Sequence, residues 1–220
     1  MVSAVSALDD LTRAAHLPVH TEAGARAAID ALPWLGASLD DDRATGRFDA
    51  WGRSTVVDEN TAATVIPQAL FEALHERAEV AAAWPIGNAG LLHCYGYLLS
   101  RERTPYGLKR ERWVDDGLAI ACGLPSGAFH PWRAETTLLA RASRAASALL
   151  ATPAASASVE IEGRRTRMAL GSYAGAAALV YAVAPTTGVE PLLVTMFHVA
   201  EASVPLAEFT TEPRLRWNAV

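Results

Sequence analysis

The sequence predicts an α+β fold, with N-terminal helices packed on a mainly antiparallel sheet built largely from the C-terminal third. Three observations carry this expectation. Apolar residues recur at helical spacing in several stretches before residue 151. A glycine-centred hairpin pattern begins near residue 159. Two nearly unbroken apolar runs then follow, Ala176–Ala184 and Leu192–Ala200. The 220 residues suit one domain spanning 1–220, with a candidate sub-boundary in the small, proline-containing stretch 152–157.

The elements follow in order. Ser6 can cap a first helix through Leu8, Leu11 and Ala15, and Pro18 interrupts it. Thr21 can cap a second helix that uses Ala25, Ala28, Ile29 and Leu32 and ends at Pro33 and Gly36. Leu39–Asn60 reads as irregular. It carries the acidic run Asp40-Asp41-Asp42, whose simplest reading is a solvated loop, and a short strand over Arg53–Val57. Thr64 can cap a helix that tolerates Pro67 in its first turn and buries Ile66, Ala69, Leu70, Ala73 and Leu74.

For Gly90–Ser100, Tyr95 and Tyr97 favour a strand, and Gly96 counts against a helix. Val114–Cys122 reads as a helix, with Asp115 and Asp116 at its positive end and Gly123 just beyond its last turn. Thr137–Leu150 places Leu138, Ala142, Ala145 and Leu149 on one stripe. A hairpin follows with its turn at Gly163-Arg164. That register pairs Glu162 with Arg165, Glu160 with Arg167, Ile161 with Thr166 and Val159 with Met168. The two apolar runs are joined around Thr187-Gly188 and are expected to be central strands covered on both faces. Leu206–Thr211 and Leu215–Ala219 are expected to add a last strand or two, for a sheet of about four to six strands.

Composition narrows the function classes. Hydrophobic residues make up 51% and charged residues 20%, which is globular composition. A net charge of -5 disfavours a nucleic-acid partner. The N-terminus has no basic stretch before an apolar run, and both apolar runs are too short to span a bilayer as helices. The expected location is therefore the cytoplasm, with no membrane partner. Cys94 and Cys122 belong to no CxxC and read as free thiols, so no metal site is expected. There is no GxxxxGK[ST], no GxGxxG and no HExxH, and no cofactor is expected. Gly171-Ser172-Tyr173-Ala174-Gly175 misses the GxSxG register by one residue.

The segment Arg101–Trp113 concentrates the chemistry. It holds Arg101, Arg103, Lys109, Arg110 and Arg112 around the turn Thr104-Pro105-Tyr106-Gly107. Guanidinium forks suit carboxylate and phosphate. Arg103, Lys109, Arg110, Arg112 and Trp113 are the candidate ligand-binding residues, and His93, His130 and Tyr106 the candidate catalytic ones. Four acids, Glu102, Glu111, Asp115 and Asp116, lie in or beside the segment and leave a charge of about +1 over 101–116. Self-pairing on the surface is thus the competing reading. His198 interrupts an apolar strand and needs a buried partner or a cavity.

Two functions remain open. The first is a small-molecule enzyme or ligand-binding protein acting on an anionic metabolite, a carboxylate or a phosphate. The alternative is a non-catalytic interaction or assembly module, for which a homodimer is the simplest form.

Overall fold

A computed structural model of the chain describes residues 4–104, 107–161, 163–185, 189–201 and 203–211. N-terminal helices pack on an antiparallel sheet formed by the C-terminal strands. α1 spans Ala4–Ala15 and α2 spans Glu22–Asp30. Thr21 caps α2 by accepting from the Gly24 N–H at 3.1 Å. Pro33 opens a helix where the sequence suggested an end. α3 runs Pro33–Ala44, because proline's fixed φ and missing donor suit a first helical turn. The acidic run therefore lies on a helix, not in an irregular loop, and a short 3₁₀ turn, Arg47–Ala50, follows it.

β1, Arg53–Thr55, pairs with β2, Ile86–Asn88, and between them lies α4, Gln68–Ala78. The stretch expected as a strand at Gly90–Ser100 is helical instead: a π-helical segment, Leu91–Gly96, continued by α5, Tyr97–Leu99. Every residue from Leu91 to Ser100 is buried. A helix enclosed on all sides shows no amphipathic period, so its pattern resembles that of a buried strand. Gly96 is required by packing, since a Cβ there would stand 2.6 Å from Cδ1 of Ile66.

A two-residue ladder, β3 Arg103–Thr104 with β4 Gly107–Leu108, precedes α6, Glu111–Val114, and α7, Gly117–Ala121. Gly123, at φ +67°, ends α7 as expected, with Gly123 N–H to Ile120 O at 2.8 Å and Leu124 N–H to Ala119 O at 2.9 Å. α8 spans Leu138–Ala151, capped by Thr137.

β5 Ala155–Ile161, β6 Arg164–Tyr173, β7 Ala176–Pro185 and β8 Leu192–Val199 form a four-stranded meander in sequence order. The first hairpin keeps a two-residue loop, but its turn lies one residue earlier than expected, so each β5 residue faces a β6 residue two positions earlier. Glu160 faces Arg165 and Val159 faces Thr166, so the loop falls on residues 162–163 with Gly163 at φ +73°. A slip of two keeps every side chain on its face, which is why charge matching alone did not discriminate the registers. Glu162, and the turn around Thr187-Gly188, lie outside the described residues.

β7 is a central strand covered on both faces, as its apolar run predicted, whereas β8, expected to be central as well, is the edge strand of the meander and only partly covered. Ala178, Val180 and Ala182 face the helices, where small side chains let them approach. Leu179, Tyr181 and Val183 face the other way, with Met168, Leu170 and Val194. The expected last strand at Leu206–Thr211 is instead α9, Ser203–Thr211, which sets Phe209 against Tyr181 with ring centroids 6.0 Å apart. Leu206 and Phe209 share a helical face at i,i+3, and both pack on this second cluster. Leu215–Ala219 lies outside the described residues.

Candidate functional site

The site begins at the outer edge of β8. Trp51 and Gly52 lie alongside this edge, with Gly52 N–H to Leu193 O at 2.8 Å. Asn88 braces the lead-in. Its Nδ2 donates to the carbonyls of Phe48 at 3.0 Å and Trp51 at 3.3 Å, and its Oδ1 accepts from Leu91 N–H at 3.0 Å. One side chain thus fixes β1 beside the start of the π-helical segment. That brings Ser54 to His93.

β8 carries an irregularity at the same level. Tyr181 faces Thr195 and Ala182 faces Leu193, so Val194 is an extra residue and forms a β-bulge. The bulge turns the Val194 carbonyl toward His93 and presents Thr195 to Arg112.

Tyr97 is the hub. Its ring lies 4.8 Å from the His93 ring, 5.5 Å from Lys109 Nζ and 5.2 Å from the Arg112 guanidinium carbon. His93 and Tyr97 meet because they are four residues apart on one helix. Burial pushes the Tyr97 phenol up to about 12, with Arg112 opposing, so it stays a neutral donor at pH 7.

Arg112 is partly buried. Its Nη1 donates to Thr195 Oγ1 at 3.0 Å, and its guanidinium also lies 5.6 Å from the Phe197 ring and 6.0 Å from the Trp113 ring. Burial lowers its proton affinity, and the nearby Tyr97, Cys94 and Asp58 raise it. Lys109 is matched already, by an ion pair with the nearly buried Asp58. Burial favours the protonated Asp58, but Lys109 and the N–H groups of Asn60 and Thr61 outweigh it and hold the carboxyl below its usual range.

His93 is buried at 4% exposure. Its Nε2 lies 3.1 Å from Ser54 Oγ, while Nδ1 has no hydrogen-bond partner. Burial, with the charges of Arg112 and Lys109, drives its proton affinity well down, and the adjacent Val194 carbonyl opposes only in part. The imidazole is neutral at pH 7. Ser100, two turns further along, also has a buried hydroxyl without a partner.

Of the residues singled out from sequence, His93, Lys109 and Arg112 come together here. Trp113 is adjacent but wholly buried, with Nε1 donating to the His93 carbonyl at 2.6 Å, so it supports the site and presents no face to a ligand. Arg103 is exposed on β3, and Arg110 sits half-buried at the start of α6. His130 is tied elsewhere, its Nε2 3.2 Å from the Val114 carbonyl and its ring 4.9 Å from that of Trp132. Tyr106 lies outside the described residues. Ser54, Tyr97, Thr195 and Phe197 join His93, Lys109 and Arg112 and are not among the site residues that the sequence predicts. Only the i,i+4 spacing of His93 and Tyr97 would have shown in the sequence, given a helix there.

The competing reading, self-pairing of the basic segment with its acidic neighbours, finds no ion pair among the described residues. No ion pair joins Arg101, Arg103, Arg110 or Arg112 to a carboxylate. Glu111 instead accepts from Leu108 N–H at 2.8 Å. Asp116 accepts from Ser126 Oγ at 2.6 Å and Gly127 N–H at 2.7 Å, which hold its carboxyl below the usual range.

A second polar cluster is structural. Asp42, wholly buried on α3, accepts from Tyr95 Oη and Thr137 Oγ1, both at 2.5 Å, and from Arg47 Nη1 at 3.0 Å. Burial raises its proton affinity against those three bonds. Cys94 and Cys122 are free thiols, both made less acidic by burial. Among the described residues no group of three or more His, Cys, Asp or Glu side chains is placed to hold a metal ion, and no helix is long and apolar enough to cross a membrane. No protein-family model, curated protein or solved structure matches the chain.

Proposed function

We propose that the protein binds a small anionic ligand, a carboxylate or a phosphate, at Arg112, with Tyr97, His93 and Thr195 around it. One observation carries the reading: a partly buried guanidinium that has a hydroxyl and three aromatic rings for neighbours but no carboxylate partner. Guanidinium offers five N–H donors, and Thr195 takes one. A charge withdrawn from water without a counter-charge is costly, and an anionic ligand offsets that cost. Tyr97 supplies a neutral donor beside it, and Lys109, balanced by Asp58, adds a weaker field. The test is a thermal-shift screen of small mono- and dianions. A ligand that binds only the folded chain raises the melting temperature, by an amount that grows with the logarithm of its concentration once that exceeds Kd. The expected result is stabilisation by at least one carboxylate or phosphate compound that Arg112→Met abolishes.

The assembly reading draws on a different place. Ile120, Leu124 and Tyr173 are large apolar residues exposed at 43%, 38% and 59%, and the Tyr173 ring lies over Gly123. Adjacent exposed apolar side chains favour an interface. Light scattering at micromolar concentration, with Tyr173→Glu as the disrupting variant, tests it.

A further inference from the structure

We infer that Ser54 is a nucleophile and His93 its general base, in an acyl-transfer site whose substrate is an ester carrying a carboxylate or phosphate held by Arg112. The inference rests on the anion site for its substrate class, and on separate geometry for its chemistry.

That geometry is clearest by comparison with the other buried histidine of the chain. His75 uses both ring nitrogens: Nδ1 lies 2.7 Å from the Phe71 carbonyl, and Nε2 accepts from Asn88 N–H at 3.2 Å. It is a strut, fully used. His93 sets Nε2 3.1 Å from a serine hydroxyl, and its buried Nδ1 has no hydrogen-bond partner. A buried polar atom without a partner is destabilising, and a catalytic role is one reason such a group persists. With the proton on Nδ1, the Nε2 lone pair faces Ser54 Oγ–H, the arrangement a nucleophile and its base require. Ser54 retains 8% exposure on the short β1 strand, beside the helix that carries Tyr97.

The step balances as follows. Ser54 Oγ bonds to the ester carbonyl carbon while its proton passes to His93 Nε2. The tetrahedral intermediate collapses, the ester C–O bond breaks, and Nε2 returns the proton to the departing alcohol. Water then attacks the acyl-serine through the same base, releasing the acid and restoring Ser54.

The two cations explain the demand for an anion. Arg112 and Lys109 both oppose a positive charge on His93. Lys109 is offset by Asp58, and Arg112 has no carboxylate. An anionic group on Arg112 removes that opposition, so the substrate's own charge restores the base. Serine hydrolases of the familiar kind obtain this from a buried carboxylate on Nδ1, which His93 lacks.

The experiment uses the full chain, an alkyl fluorophosphonate probe whose chain ends in a carboxylate, and two chromogenic esters. Intact mass and peptide mapping are expected to show one adduct on Ser54, absent in Ser54→Ala and formed about 100-fold more slowly in His93→Asn. Turnover of 4-nitrophenyl hemisuccinate is expected to exceed that of 4-nitrophenyl acetate about tenfold or more, and Arg112→Met to remove that preference. Absence of a Ser54 adduct on the unaltered protein overturns the proposal, whether or not variants fold. If anions still raise the melting temperature in that case, the anion site stands without the nucleophile. Equal or faster turnover of the neutral ester overturns the substrate class.

Discussion

Arg112 donates from Nη1 to the hydroxyl of Thr195 across 3.0 Å, joining the segment after the small β-ladder to a strand 83 residues later. Thr195 pairs with Tyr181 in the ladder directly after the extra residue Val194, beside the bulge. The basic segment is thus divided in space. Lys109 and Arg112 turn inward and Arg103 faces water.

Asp42 anchors α3 to the π-helical segment and to the start of α8. Asp42→Ala leaves two hydroxyls without their acceptor and Arg47 without its inner carboxylate. The expected loss is roughly 3 kcal/mol, read from urea denaturation. Asp42→Asn, which keeps one acceptor oxygen, is expected to lose less.

Trp113 is part of the core. Trp113→Phe keeps most of the buried ring but strips the donor from the His93 carbonyl. A destabilisation of about 1–3 kcal/mol is expected, again by urea denaturation. Anion affinity is expected to change little. A large affinity loss in a variant of near-native stability would return Trp113 to the ligand site.

His75 and His93 both have folded proton affinities below the ordinary value of 6.5, chiefly through burial. In the unfolded chain each binds a proton as pH falls below 6.5, and in the folded chain it does not. Their stabilising contribution is therefore fully present above 6.5 and is lost as pH falls below it. Each costs up to about 1.4 kcal/mol per pH unit across that window. Urea titrations from pH 7.5 to 5 are expected to show the fall, and His75→Gln or His93→Gln to flatten it by one histidine's share.

Local chemistry was legible in the sequence. Thr21 caps its helix as its hydroxyl suggests, and Gly123 takes the left-handed conformation that ends α7. Ser6 and Thr64 do not cap: Ser6 lies inside α1, and α4 begins at Gln68 directly after Pro67. The double burial of β7 followed from its apolar run. What depended on distant partners was not legible. Leu91–Ser100 is enclosed by other elements, so its helical period is invisible. The Val194 bulge is defined only against β7, and Ser54 lies 39 residues from the histidine it meets. The site was therefore half visible. Its cations stand in one segment, but the side chains that give them meaning come from β1, α5 and β8.

The anion site is tested most directly by following the Arg112 Nε–Hε resonance by NMR while inorganic phosphate, then succinate, is added to the native protein. The expected result is a saturable shift of that resonance with at least one of the two. The shift should be absent for the exposed Arg103 and should be accompanied by movement of the His93 ring signals. An Arg112 resonance that stays fixed while both anions reach tens of millimolar (roughly the weak-binding limit for a specific site) would contradict the assignment.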